Sequence, residues 1–387
     1  MNSKKLMTFA LFGTIVFLAC IYAIQGALLT DTINFYHPES SAQGYAGLFS
    51  SFGAIIALVS AFFLIGRIPK IHLLLIGLII SSGFICLLSL PESYVVYIFF
   101  WFLAGIGMGY IDCLVSSCVA DLYTGREATK MMCNLHMTFG IGSMLAPVAI
   151  AFLKNVGVKW RNLYYLLAFL GFIMIILLFI SDKTGKRISN ENIINSENKM
   201  TLKDMAEKIR EGALPYLIIA MFFHGLFMGG MNSWLTHYVS VTLASKFGSI
   251  ALSFMYLGVL LSRFIVPRTS IPVRKYLSKA GIFAGIIFII AIPFKSGIIM
   301  CIAVVLSTLC FGAMIPCSLD TACADMPDST LFATTIIFFC IYIGQGLSSP
   351  ILGAIEKGIG LQYGMYLIGI FMIIASLILN NKKVVGS

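Results

Sequence analysis

The chain has 387 residues, of which 59% are hydrophobic and 11% charged, and its formal net charge is +10. A soluble domain carries roughly 25% charged residues; these are too few to coat a water-facing surface, and a soluble fold is excluded. The excess of Lys and Arg, which in a soluble protein would suggest nucleic acid, reads here as topology, because cytoplasmic loops of membrane proteins collect positive charge.

The apolar runs reach about 20 residues, the length a helix needs to cross a ~30 Å hydrocarbon core. They are continuous rather than alternating, which favours helices over barrel strands. In chain order the predicted spans are Leu6–Leu29, Tyr45–Ile65, Ile71–Leu90, Tyr94–Val119, Met131–Leu153, Leu163–Ser181, Leu214–Val239, Ile250–Val266, Tyr276–Pro293, Gly297–Ala322, Leu331–Ile355 and Gln362–Leu379. The expected fold is all-α and integral to the membrane, with twelve transmembrane helices and both termini on one side. The first run is too long for a signal-peptide core and many spans follow it, so it reads as a retained span.

With the N terminus inside, 20 of the 26 Lys and Arg fall in cytoplasmic segments and 6 outside. That split orients the chain with both termini in the cytoplasm, and the expected location is the bacterial cytoplasmic membrane. Lys154, Lys159 and Arg161 form the exception, a positive cluster on the sparse side. The ten cysteines sit in or beside apolar runs with no CxxC pair, so neither a disulfide framework nor a metal site is expected.

The one long polar stretch, Asp182 to Glu211, divides the chain into a six-span bundle at 1–181, a linker at 182–212 and a second six-span bundle at 213–387. Within the linker, Leu202, Met205, Ala206 and Ile209 fall at helical spacing, the pattern of an amphipathic helix on the inner leaflet or of a solvated connector. The two bundles also resemble each other. An offset of 204 residues lays Met108–Leu122 over Gly312–Met326, matching Ile111 to Ile315, Cys113 to Cys317, Ala120 to Ala324 and Asp121 to Asp325. The same offset matches Gly140 and Gly142 to Gly344 and Gly346, and one residue of slippage brings Pro147 onto Pro350. Two matches in corresponding spans at one offset argue for a duplicated six-helix unit, an architecture of transporters whose site lies at the repeat interface.

At these residues the chain resembles the major facilitator superfamily. Three stretches, Ile21–Asp31, Gly105–Asp121 and Asn134–Pro147, are similar to its fucose/galactose/glucose:proton symporter branch. The resemblance implies an acid near the outer end of the first helix, an acid in the fourth after a glycine-rich run and a polar side chain early in the fifth, carried here by Asp31, Asp112 and His136. Two features depart from the pattern. Ser116 stands four residues after Asp112 where the branch commonly has Asn, and the loop between the second and third spans is reduced to Gly66–Lys70 with no acid.

An ionisable group within a span is a functional candidate by default. The acids are Asp31, Asp112 and Asp320; the histidines are His136, His224 and His237. No Lys or Arg lies deep in the first six spans, so a carboxylate there is expected to lack a permanent cationic partner. Desolvation without a partner favours the protonated acid, the behaviour a proton carrier needs. Asp112 or Asp31 is expected to take the coupling proton while the other hydrogen-bonds substrate, with His136 sharing the proton; the alternative is that these acids tie helices together, or that Asp31 caps the first. Gln25, Ser116, Asn232, Trp234, His237 and Gln345 are further substrate-lining candidates, because sugars favour aromatic faces edged by amide and carboxylate hydrogen bonds. Packing is the competing role for Trp234 and Gln345.

At the cytoplasmic ends, Asp121 is expected to pair with Arg67, and Asp325 with Arg263 or Arg268, as an inner gate. Gly105, Gly107 and Gly109 lack the strand of a dinucleotide loop and instead suit close helix packing, as does Gly229-Gly230. No phosphate loop, zinc spacing or nucleophile elbow is present, so an enzyme is not expected, nor a cofactor. The function expected is a monomeric secondary transporter importing a small polar solute, such as a sugar, with protons, by alternating access. The alternative is a proton-coupled exporter of drugs or metabolites; a membrane receptor is disfavoured by the intact repeats.

Overall fold

The computed structural model describes residues 3–39, 42–65, 67–123, 125–184, 209–210, 212–326 and 330–381. The predicted amphipathic stretch lies outside them apart from Ile209 and Arg210, which sit in a turn. The regular structure is helical: α1 (Ser3–Ala27), α2 (Leu29–Tyr36), α3 (Tyr45–Leu64), α4 (Lys70–Leu87), α5 (Tyr94–Leu122), α6 (Gly125–Asn155), α7 (Trp160–Thr184), α8 (Leu214–His237), α9 (Ala251–Ile265), α10 (Val273–Ala291), α11 (Gly297–Phe311), α12 (Met314–Asp325), α13 (Thr330–Ile359) and α14 (Leu361–Leu379). Eleven stretches among the described residues are long and apolar enough to cross a membrane, and a shorter apolar helix, Tyr45–Ala61, stands at the second predicted span. The expected twelve spans are met to that extent.

Three spans differ in detail from the sequence expectation. The first continues past Leu29 as α2, so Asp31 lies in a helical turn. The seventh extends through a π turn at Tyr238–Thr242. The tenth is broken into α11 and α12. Pro316, in the first turn of α12, explains the break. Its nitrogen has no hydrogen to give the carbonyl of Gly312, and its ring would clash with that carbonyl in a continuous helix.

The freed backbone groups are met by side chains of the neighbouring helices, as a low-dielectric interior demands. Arg263 Nε donates to the Gly312 carbonyl at 3.4 Å. The Ala313 N–H donates to Ser262 Oγ at 3.0 Å and to the Tyr276 hydroxyl at 3.2 Å, and the Tyr276 hydroxyl donates to the Cys310 carbonyl at 2.7 Å. Under the repeat offset, the position of Pro316 is that of Asp112, and there α5 runs unbroken.

The helices gather into two units, Met1–Pro38 with Tyr45–Ile194, and Glu39–Gly44 with Asn195–Ser387. In the first, α5 packs between α3 and α4, and α1 packs on α6 and α7. In the second, α11 packs between α9 and α10, and α8 packs on α13 and α14. The pairings correspond helix for helix, as a duplicated unit requires. Small residues set the closest contacts. A Cβ at Gly105 would fall on the Ser50 backbone of α3, and one at Gly229 on the Gln345 backbone of α13. The glycine runs read as packing surfaces therefore act as such in both units.

Candidate functional site: polar groups and ion pairs within the spans

At the cytoplasmic ends expected from the charge count, each unit carries a matching acid–base clasp. Lys70 Nζ, at the start of α4, reaches both carboxylate oxygens of Asp121 at the end of α5, at 2.8 and 3.1 Å. Arg274, at the start of α10, meets Asp325 at the end of α12 at 2.5 Å. Lys70 and Arg274 are separated by the same 204 residues as Asp121 and Asp325. The ion pairs thus repeat with the sequence.

The basic partners differ from those expected. Arg67 sits exposed in the turn before α4, where a Pro69 N-cap sets the helix start and Lys70, not Arg67, rises against α5. Arg263 is engaged at the break in the tenth span. Arg268 curls back on its own helix end, donating to the Phe264 carbonyl at 2.6 Å with its guanidinium 3.8 Å from the Phe264 ring centre. Asp121 and Asp325 hold the expected place, and Lys70 and Arg274 replace the three arginines.

Asp31 also corrects an expectation. It does have a cationic partner: Lys154, at the end of α6, meets it at 2.6 Å. The same contact accounts for part of the positive cluster on the sparse side. Arg161 accounts for more of it, pairing with Glu92 at 2.9 Å, donating to the Pro91 carbonyl and lying 4.1 Å from the Phe35 ring centre. Two of the three outlying positives are therefore neutralised by neighbours rather than left to oppose the charge asymmetry. The contact ties the turn carrying Asp31 to the end of α6, so Asp31 serves as a clasp between helices in this structure.

Two further predicted groups of the first unit stand on α5 and α6. Asp112 is half-buried on α5, beside Cys113, with Ser116 half-buried one turn on; His136 is half-buried on α6. Gln25 donates to Ser50 Oγ at 3.2 Å and so ties α1 to α3.

In the second unit, several lining candidates are already committed to packing. Trp234 is fully buried, and its indole N–H donates to the carbonyl and hydroxyl of Ser349 at 3.0 and 3.1 Å. Asn232 is buried and accepts from the Tyr256 hydroxyl at 2.8 Å. His237 lies 3.3 Å from Glu356. Gln345 is half-buried, with its backbone against Gly229. His224 is enclosed between Phe227 and Phe311, while Asp320 is exposed on α12. Trp234 and Asn232 thus serve the core of their unit in this structure.

Residues 7–349 match the Major Facilitator Superfamily. The chain belongs to that superfamily. Among curated superfamily-like relatives, a Protein TsgA homolog of Buchnera aphidicola is 20% identical over 320 residues, covering 76% of this chain and 81% of its own. The cis,cis-muconate transport protein of Acinetobacter baylyi is 21% identical over 264 residues, covering 65% of this chain and 62% of its own. Among solved structures, an inward-facing bacterial homolog of the human lysosomal transporter Spinster superposes with a TM-score of 0.71 at 14% identity, covering 98% of this chain and 96% of its own. The human organic anion transporter MFSD10 superposes at 0.69 with 12% identity, covering 98% of this chain and all of its own, 100%. At these identities the structural likeness speaks to the fold, which is the superfamily fold.

Sequence reading missed Lys70, Arg274 and Glu356. The repeat offset, applied to the charges, pairs Lys70 with Arg274 but sets Arg263 and Arg268 against Val59 and Leu64. That test would have found the clasps.

Proposed function

We propose that this chain is a proton-coupled secondary transporter that imports a small polar solute, with a sugar as the leading substrate class, by alternating access. The observation that carries the reading is the duplicated helical unit whose cytoplasmic clasps recur at one offset, Lys70–Asp121 and Arg274–Asp325. Two matched clasps suit an inner gate that closes and opens in both halves together. Asp112, with His136 as partner, takes the coupling proton: both are ionisable groups within spans, which lipid tolerates only for function or firm pairing. Asp31 is assigned instead to the clasp with Lys154. The protein acts as a monomer in the bacterial cytoplasmic membrane with both termini inside, in keeping with its Lys and Arg distribution.

The muconate relative favours organic acids as a second substrate class. The test is uptake by the purified protein in proteoliposomes, using a panel of labelled sugars and organic acids under an imposed inward proton gradient. Accumulation of one solute, abolished by a protonophore, is expected. Extrusion of dyes or drugs with no uptake from the panel would replace import by export.

A further inference from the structure

The far ends of the two units hold clasps of different chemistry. In the first unit, Asp31 on the first span meets Lys154 on the fifth at 2.6 Å. In the second, His237 on the seventh span meets Glu356 on the eleventh, Nε2 to Oε1, at 3.3 Å. The helices correspond, first to fifth within each unit. The acid and base have exchanged places, and the base has changed from an ammonium to an imidazole. A lysine keeps its charge through the physiological range; an unperturbed histidine changes charge between about pH 5 and 8.

We propose that His237 and Glu356 form a proton-binding site in the second unit, which holds α8 against α13 when a proton is bound and loosens that contact when it is lost. The side chains are 9% and 24% exposed, so the pair is screened from water yet open at one edge. Glu356 Oε2 is buried and has no hydrogen-bond partner among the described residues. One oxygen of the carboxylate thus depends on no other described group, and a screened carboxylate is held most firmly beside a cation. With Nε2 protonated, the ring donates to Oε1, and a further proton at Nδ1 gives the ring a charge and turns that hydrogen bond into an ion pair. The histidine ring packs edge-to-face with Trp234, 5.8 Å between ring centres at 89°, and Trp234 is itself tied to α13 through Ser349.

Further titratable groups lie near the pair among the described residues. Tyr238 follows His237 on the π turn, with Tyr366 of α14 near it. Lys357 follows Glu356 on α13 and is exposed. From α9, Tyr256 is engaged by Asn232, and the short turn Gly248–Ile250 brings no titratable side chain.

Hydrogen exchange on the full-length protein in nanodiscs, corrected for the intrinsic effect of pH and read at residues 237–243 and 353–360, tests the site without substrate. A failure here leaves the role of Asp112 untouched, and a failure of proton-coupled uptake leaves this site untouched. The native protein should lose roughly tenfold in protection between pH 6 and 8.5, as the ion pair is reduced to a hydrogen bond from a neutral ring. His237→Lys should keep its protection at both pH values, and Glu356→Gln should have low protection at both. Equal protection of the native protein at both pH values overturns the proposal. So does a pH response that survives in His237→Lys or in Glu356→Gln.

Discussion

Lys70 and Asp121 make the clasp whose strength follows most directly from its geometry. Two contacts at 2.8 and 3.1 Å join them, and their side chains are 10% and 14% exposed. An exposed ion pair contributes about 0–1 kcal/mol, whereas removing one partner of a fully buried pair costs about 3–5 kcal/mol. This pair lies between the limits and nearer the buried one, so Asp121→Leu or Lys70→Met alone should each cost about 2 kcal/mol. Most of that cost is the stranded partner charge, so the double variant should cost only about 1 kcal/mol, a coupling energy of about 3 kcal/mol. The assay is SDS-induced unfolding in mixed micelles followed by tryptophan fluorescence, for which Trp101 and Trp160 report on the same unit. A coupling below about 0.5 kcal/mol would show that the contact is an ordinary surface pair and would remove the structural basis for a gate there.

Further predictions concern helix geometry. The repeat mate Arg274–Asp325 is more open, at 21% and 23% exposure, and its cycle should give a smaller coupling, about 1 kcal/mol. Tyr276→Phe removes the hydroxyl that serves the break in the tenth span and should cost about 1–2 kcal/mol, with faster hydrogen exchange at residues 310–316. Gly105→Ala would press a Cβ onto the Ser50 backbone and should destabilise by about 1–3 kcal/mol. Gly83→Ala, where a Cβ meets nothing within 4 Å, should be neutral or stabilise by up to about 1 kcal/mol; equal effects of the two glycine variants would contradict the packing account.

Much of the fold was legible because long apolar runs have one solution in lipid, and because the duplication left Asp121 and Asp325 on a common offset. What stayed hidden depends on direction rather than composition. Arg67 and Lys70 lie three residues apart, and only the helix start at Pro69 decides which one faces α5. The break at Gly312 is invisible to hydropathy, yet Pro316 alone announces it, since a proline in a span frees the carbonyl four residues before it. The tie between Asp31 and Lys154 joins residues just past the ends of two predicted spans, where hydropathy gives no pairing. Glu356 falls one residue past the predicted span end at Ile355, although it lies close to the position that the offset assigns to Lys154.

The central claim is that an acid within the fourth span carries the proton that drives uptake. Asp112→Asn, reconstituted beside the native protein, tests it by comparing accumulation under a pH gradient with exchange at zero gradient. The account predicts that gradient-driven accumulation is lost while exchange persists. Accumulation at the native level in Asp112→Asn would contradict it.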